Sequence, residues 1–230
     1  MSAVFVLVHG AWTGSYVWRP VRTLLRRAGH EVFTPTLTGL GERVHLAHPG
    51  LDLDTHVLDV VNLLRYEDLR EVVLVGHSYG GAVATVAADR VPERIAQLVL
   101  LDALLVRDGR SVQDLRRRAI PESEDWVAPP HLPHVPAQRL ARMLPAARLS
   151  LQPARTFRQP VSLAEPPEER PFGRWYVRAA RRGASASYDT AAERARTHQG
   201  WHYREVDAGH DLMLSAAEET ARLLAETARG

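Results

Sequence analysis

Cysteine and lysine are both absent from this chain of 230 residues. Without cysteine there is no disulfide, no thiolate nucleophile, and no zinc–thiolate or iron–sulfur site. Without lysine there is no Schiff-base lysine and no phosphate-loop lysine. These two absences exclude several classes of enzyme chemistry before any motif is considered.

An excess of charge of one sign is also lacking. The 29 basic residues, all arginine, exceed the 27 acidic residues by only two, and no dense basic block occurs, so we expect no nucleic-acid partner. No apolar run approaches the ~18 residues that span a bilayer, and the apolar start at 3–8 has neither the length nor the basic leader of a signal peptide. We therefore expect a soluble, cytoplasmic protein without membrane contact, and the sequence leaves a homodimer open.

Short apolar runs alternate with helical patterns along most of the chain. Hydrophobic residues form 45% of the chain, an ordinary globular share. Uninterrupted runs at Val4–Val8 and 72–75 are typical of strands buried on both faces of a parallel sheet. The remaining predicted strands are 31–35, Ile95–Leu101, 174–179 and 201–206, and the predicted helices are 16–28, 56–66, Gly80–Arg90 and a last one from Ser215, where Ser215 and Glu218 match a capping box. This order predicts an α/β fold with a doubly wound, mostly parallel sheet.

The alternation breaks in a proline-rich stretch. Eleven of the 15 prolines lie in residues 121–171. A structureless loop of that length is uncommon inside a compact domain. We therefore predict a helical cap at about 111–171, inserted into a core formed by 1–110 and 172–230.

One serine lies in a pattern typical of a nucleophile. Residues 72–81 read as a buried strand, then G-x-S-x-G, then a helix of small residues, which is the context of a nucleophile elbow. Ser78 would be held on a tight turn, with Gly76 and Gly80 permitting the close approach of strand and helix. The alternative is a glycine-rich turn that contains an incidental serine.

The loop that follows the first strand, residues 9–12, is expected to face this turn. The backbone N–H groups of Ala11 and Tyr79 would then point at one oxygen atom and form an oxyanion hole. We expect His9 to hold the loop and not to act on substrate.

A histidine follows the last predicted strand. On that loop His210 can reach Ser78, remove the hydroxyl proton and return it to a leaving group. The alternative is an ordinary surface histidine.

These segments together resemble the α/β-hydrolase superfamily, in particular the branch of plant methyl-ester esterases, hydroxynitrile lyases and related bacterial esterases. The resemblance implies that the Ala11 and Tyr79 amides form the oxyanion hole. It also implies that Ser78 is the nucleophile, that His210 is the base and that a cap covers the pocket. The segments that carry it are 5–12, 76–81, 101–103 and 208–210.

The sequence departs from this family at two positions. Hydroxynitrile lyases carry a lysine directly after the catalytic histidine, where this chain has Asp211, and this disfavours a lyase of that kind.

The family aspartate that follows the strand after the cap is also missing, because that position falls at about Arg182. Asp102, after the strand Ile95–Leu101, matches a triad acid of haloalkane dehalogenases. Three alternatives remain: Asp102 is the acid, the acid is lost, or another residue such as Asp189 replaces it.

The substrate pocket is expected to be apolar. Candidate lining residues are Trp12, Trp126, Leu140 and Met143, each of which could equally belong to the core or cap packing. His131 and His134 lie between prolines without acidic partners, so we expect no metal site.

The function predicted from these residues is a serine-dependent hydrolase of a small, largely apolar carboxylic ester or lactone, without a cofactor. Two alternatives remain. One is a non-hydrolytic cyclase, lyase or isomerase of a biosynthetic pathway that uses the same pocket. The other is a ligand-binding protein on a hydrolase scaffold.

Overall fold

The predicted strands form one parallel sheet. The computed structural model describes residues 2–116, 119–129 and 148–229. The strands of these residues are β1 Val4–Val8, β2 Glu31–Phe33, β3 Val72–His77, β4 Ile95–Leu101, β5 Trp126–Val127, β6 Gln152–Pro153, β7 Gly173–Ala179 and β8 His202–Val206. Six of them make a sheet in the order β2-β1-β3-β4-β7-β8, in which every neighbouring pair is parallel.

Helices cover both faces of this sheet. They are α1 Arg19–Arg27, α2 Leu53–Tyr66, α3 Gly80–Arg90, α4 Val112–Arg116, α5 Arg155–Arg158, α6 Ala186–Thr197, α7 Leu212–Ser215 and α8 Ala217–Thr227. The buried side chains of α2, α3 and α6 belong to one core cluster, and those of α1, α7 and α8 belong to the other. The predicted doubly wound α/β architecture is thus confirmed. In the described part of the chain, no helix has the length and hydropathy needed to cross a membrane.

The apolar runs explain this arrangement. In β1, Val6 and Val8 pack into the cluster with α2 and α3, while Phe5 and Leu7 pack into the cluster with α1, and all four are fully buried. Successive strand residues face opposite sides of a sheet, so a strand covered on both sides must be apolar at every position. Burial stabilises the fold by roughly 1.5–3 kcal/mol for each side chain of this size.

The segment between β4 and β7 carries small elements of its own. In its described part, α4 and α5 accompany an antiparallel pairing of β5 with β6, in which Trp126 faces Pro153. The boundaries of the expected cap, 111–171, stay a prediction. Leu140, Met143, His131 and His134 lie outside the described residues.

The capping box predicted at Ser215 is wrong. The last helix, α8, begins at Ala217 with Ala216 before it, and no side chain caps it. The Ser215 hydroxyl instead donates to the Asp211 carbonyl oxygen at 3.0 Å. The serine therefore closes the short helix α7, which buries Leu212 and Met213, and it is unavailable to the next helix.

Candidate active site

Ser78 lies on the turn between β3 and α3 in a strained backbone conformation. Its φ is +54°, in the left-handed region that side chains avoid, at a cost of roughly 1–3 kcal/mol. Hydrogen bonds hold the turn, because the Ser78 N–H donates to the Leu101 carbonyl at 3.3 Å and the Ser78 carbonyl accepts from the Gly81 N–H at 3.1 Å. The fold thus holds this hydroxyl at the carboxyl end of β3.

The two glycines of the motif allow three backbone segments to meet. A Cβ atom on Gly76 would lie 2.5 Å from the Gly80 carbonyl oxygen. A Cβ atom on Gly80 would overlap the carbonyl oxygen of His9. Any larger residue at either position would therefore push the helix away from the strand and displace Ser78.

The loop after β1 packs directly on this turn. A Cβ atom on Gly10 would lie 3.2 Å from the Ser78 Cβ. His9 fixes the loop with both ring nitrogens, since Nδ1 donates to the Gly10 carbonyl at 2.8 Å and Nε2 accepts from the Leu37 N–H at 3.0 Å. Ala11, which is buried, therefore lies in a loop segment adjoining the serine.

His210 is oriented by a buried carboxylate. Its Nδ1 lies 2.7 Å from Oδ2 of Asp102, whose side chain has no solvent exposure. The second oxygen, Oδ1, accepts from the Ala179 N–H at 3.2 Å. Because Nδ1 donates to the carboxylate, Nε2 on the other side of the ring is left unprotonated in the neutral tautomer.

His77, inside the motif, ties the His210 loop to the turn. Its Nε2 donates to the His210 carbonyl at 2.9 Å, and the two ring centroids are 4.7 Å apart. Burial, followed by the neighbouring His210, lowers the pKa of His77 to about 4. His77 is therefore a neutral donor near pH 7, and it positions the His210 backbone.

Arg182 occupies the place where the resemblance implies an aspartate. Its Nε lies 2.9 Å from Oδ2 of Asp102, and its side chain is only 6% exposed. The same guanidinium lies 2.8 Å from Asp189, the other acid considered above. The carboxylate that contacts His210 thus comes from the end of β4, while the end of β7 supplies its counter-ion.

Tyr188, in the first turn of α6, contacts the serine itself. Its hydroxyl lies 3.0 Å from Ser78 Oγ, and its ring meets His210 edge-on at a centroid distance of 5.2 Å. Among the hydrogen bonds of the described residues, none joins Ser78 to His210. Catalytic hydrogen bonds often tighten only when substrate binds. Tyr188 was not predicted from the sequence, although the helix that follows a strand lies at the sheet edge where ligands bind.

An aromatic cluster includes Trp12 of the loop after β1 and Tyr79, the residue after the serine. Phe157 of α5 packs on Trp12 and Tyr79 at centroid distances of 5.8 and 5.4 Å, and the Arg116 guanidinium lies 5.3 Å from the Trp12 and Phe157 rings. Neither Phe157 nor Arg116 was predicted from the sequence. The Tyr79 hydroxyl points into the core and lies 2.8 Å, within hydrogen-bond distance, from Nδ1 of the buried His56.

Not all of the predicted pocket residues lie near Ser78 and His210. Trp12 is linked to the cap segment through its indole N–H, which donates to the Val127 carbonyl at 2.9 Å. Trp126 is partly buried in β5 and has no recorded ring or hydrogen-bond contact with Ser78 or His210. Leu140 and Met143 lie outside the described residues. Within those residues, no three histidine, aspartate or glutamate side chains gather where they could hold a metal ion.

Three buried histidines, His9, His56 and His77, are expected to make stability depend on pH, because burial lowers the pKa of each. Burial, the largest cause, lowers the pKa of His9 to about 4, as it does for His77, from an ordinary value of 6.5. Above pH 6.5 the histidine rings are neutral in both the folded and the unfolded states, and the full stability is present. As pH falls from 6.5 towards 4, only the unfolded state takes up these protons. The free energy of unfolding is then expected to fall by up to about 1.4 kcal/mol per pH unit for each histidine.

Urea unfolding at pH 7, 6 and 5 checks this expectation. His9→Gln removes one of the three buried histidines and should reduce the slope by about a third, whatever its stability at pH 7. The exposed His198→Gln is the matched control and should keep the wild-type slope. A free energy of unfolding that stays constant from pH 7 to pH 5 would contradict the neutral, buried state of these rings.

Known proteins resemble this chain in sequence. A model of the alpha/beta hydrolase family matches residues 5–223. A carbendazim hydrolyzing esterase of Nocardioides sp. (strain SG-4G) is 49% identical over 119 residues, which cover 52% of this chain and 49% of that protein. The putative chloroplastic methylesterase 14 of Arabidopsis thaliana is 33% identical over 126 residues, which cover 54% of this chain and 36% of that protein. The matched segments thus span about half or less of these relatives.

A solved structure resembles the whole chain. An extracellular alpha/beta-hydrolase from a Paenibacillus species superposes with a TM-score of 0.83, covering 99% of this chain and 100% of that one. The two sequences are 22% identical, so this likeness shows the fold alone.

Proposed function

The chain belongs to the alpha/beta hydrolase family, and we propose that it is a serine-dependent hydrolase of small, largely apolar carboxylic esters or lactones. One observation carries the proposal. A strained serine with φ +54° stands at the same sheet edge as a histidine whose Nδ1 lies 2.7 Å from a buried carboxylate. Backbone strain of this kind persists only where the surrounding structure enforces it, and it is concentrated at active sites. The relatives named as esterases support the same reaction class.

Acylation begins with Ser78. Its Oγ attacks the carbonyl carbon of the ester while Nε2 of His210 takes the hydroxyl proton. Asp102 holds the ring through Nδ1 and stabilises the imidazolium that forms, since its carboxylate is buried against the ring. The proton then passes from Nε2 to the leaving oxygen as the carbon–oxygen bond breaks.

The carbonyl oxygen becomes negative during this step. The backbone N–H groups of Ala11 and Tyr79 are the proposed donors to it, because the loop of Ala11 packs on the serine turn and Tyr79 directly follows Ser78. Tyr79 also precedes the first residue of α3, so the positive end of that helix lies behind the reacting carbon. One such donor contributes roughly 3–4 kcal/mol to lowering the barrier.

Deacylation uses the same groups in reverse. Water enters where the alcohol left, His210 removes its proton, and the acid departs from Ser78. Trp12, on the loop that adjoins the serine turn, packs on Phe157, and the Trp12 ring is the proposed apolar surface for the acyl group.

The non-hydrolytic alternative rested on the missing aspartate after β7. Asp102 lies 2.7 Å from His210 Nδ1, where such an aspartate would act, and this contact supports hydrolysis over a cyclase, lyase or isomerase reaction. A ligand-binding protein would bind esters without forming a covalent intermediate, and this difference can be measured.

The test is covalent labelling of the serine. The intact protein is incubated with a fluorophosphonate probe and with p-nitrophenyl acetate, and its mass is measured. We expect one adduct per chain, on the peptide that contains Ser78, and an initial burst of p-nitrophenol. Ser78→Ala should take up no probe.

Ser162→Ala is the matched control, because this serine is exposed, and it should be labelled like the wild type. Wild-type protein that stays unlabelled and turns over no ester would overturn the proposed function. Labelling that persists in Ser78→Ala would place the nucleophile elsewhere.

A further inference from the structure

Tyr188 contacts both Ser78 and His210, but it has no role in the mechanism proposed above. Its oxygen is 3.0 Å from Ser78 Oγ, the attacking atom, and its ring lies against His210, the group that returns the proton. In the proposed mechanism the leaving oxygen is bonded to the carbon that Ser78 Oγ attacks, and it takes its proton from the His210 ring. It therefore lies between Ser78 and His210. Tyr188 therefore borders the path of the leaving group.

Several contacts hold this phenol in place. The Arg182 guanidinium lies 4.9 Å from the centre of the Tyr188 ring. Asp189, the next residue, accepts from the Ser185 N–H at 2.8 Å and thereby anchors the start of α6. The Tyr176 hydroxyl lies 3.5 Å from the Tyr188 carbonyl oxygen. The donor is thus positioned before substrate arrives, which is the condition for stabilising a transition state at little reorganisation cost.

The phenol has a proton to share. Burial, the largest cause, raises the pKa of Tyr188 above its ordinary value, so the hydroxyl stays protonated across the neutral range. When the Ser78 proton is directed to His210, Oγ can only accept from Tyr188.

We infer that Tyr188 is a further catalytic residue, which donates a hydrogen bond to the leaving oxygen, and that alkyl esters are therefore the substrate class of this site. The inference rests on the proposed function. It concerns the departure of the alcohol, a step in which neither the Ala11 nor the Tyr79 amide takes part.

The step balances without any further reactant. The bond between the acyl carbon and the leaving oxygen breaks, and its electron pair goes to that oxygen. The proton that forms the alcohol comes from Nε2 of His210, which received it from Ser78. Tyr188 keeps its own proton and stabilises the negative charge while the transfer is incomplete.

The need for this donor depends on the leaving group. An alkoxide is a strong base and carries concentrated charge as it departs, whereas a nitrophenolate spreads its charge over the ring and leaves unaided. A hydrogen bond to the leaving oxygen therefore accelerates alkyl esters and has little effect on activated aryl esters.

The experiment compares leaving groups at constant acyl group. Wild type and Tyr188→Phe are assayed with the ethyl, trifluoroethyl and p-nitrophenyl esters of one acid. We expect Tyr188→Phe to lower kcat/KM about 10- to 100-fold for the ethyl ester and less than about threefold for the p-nitrophenyl ester, with the trifluoroethyl ester between them. The loss should be in kcat, because the hydrogen bond forms as the bond breaks.

Tyr203→Phe is the matched control. Its hydroxyl lies 2.6 Å from Glu205 on β8, and it should leave all three rates unchanged. An equal loss for all three esters, a change confined to KM, or a rate increase in Tyr188→Phe would each overturn the inference. Failure of the proposed function is distinct, because wild type would then hydrolyse none of the three.

Discussion

Replacing Ser78 with alanine is expected to lower kcat/KM for ester hydrolysis by about 10⁶-fold. The oxygen that forms the acyl-enzyme is lost, and what remains of the site can only bind the ester and polarise its carbonyl. The backbone φ of +54° is as unfavourable for alanine as for serine, so the fold and its stability should change little. Initial rates with an alkyl ester, together with urea unfolding of both proteins, measure the two effects separately.

Ser78→Gly separates the backbone strain from the chemistry. It should be as inactive as Ser78→Ala, yet its free energy of unfolding should be about 1 kcal/mol higher, because glycine adopts a positive φ without steric cost. A Ser78→Ala protein that keeps more than about a hundredth of the wild-type rate would show that another group is the nucleophile.

Asp102→Asn is expected to reduce kcat about 10⁴-fold. The carboxylate can only accept from His210 Nδ1, and this keeps Nε2 free to take a proton. An asparagine that turns its amide N–H₂ towards the ring would favour the opposite tautomer, in which Nε2 carries the proton and cannot act as a base. The measurement is kcat for an alkyl ester, with circular dichroism to confirm that the variant is folded.

Asp189→Asn is the matched control for this prediction. Asp189 touches the same arginine at 2.8 Å, but it is about one-third exposed, and its recorded contacts do not include His210. Its loss should lower kcat by less than about tenfold. Equal losses in the two variants would contradict a specific role for Asp102.

The fold was predictable because the central strands β1 and β3 are buried on both faces. Val4–Val8 has no polar residue, and a run of this kind has few alternatives to a covered parallel strand. Gly76 and Gly80 were informative for a similar reason, since a close backbone approach leaves no room for other residues. Ends of elements were harder to predict. The serine at 215 fits two neighbouring helical turns, and only packing decides between them.

The surroundings of the candidate site were predictable only in part. Asp102 was one of three alternatives, because the sequence does not give the distance from a carboxylate to a ring that lies 108 positions away. The contact of Tyr188 with Ser78 joins residues 110 positions apart and depends on how α6 begins after β7. Arg182 was recognised as the position of a missing acid, but its ion pair with Asp102 depends on the register of β4 against β7.

The guanidinium of Arg182 affects the charge balance of the proposed reaction. In a serine hydrolase whose acid is paired with the histidine alone, the two buried groups pass from one negative charge to neutrality when the ring accepts the serine proton. Here Arg182, with 6% exposure, lies between two carboxylates, Asp102 at 2.9 Å and Asp189 at 2.8 Å, and can offset only one of their two negative charges. In the proposed reaction the arginine thus reduces the repulsion that a second carboxylate would exert on the negative tetrahedral intermediate.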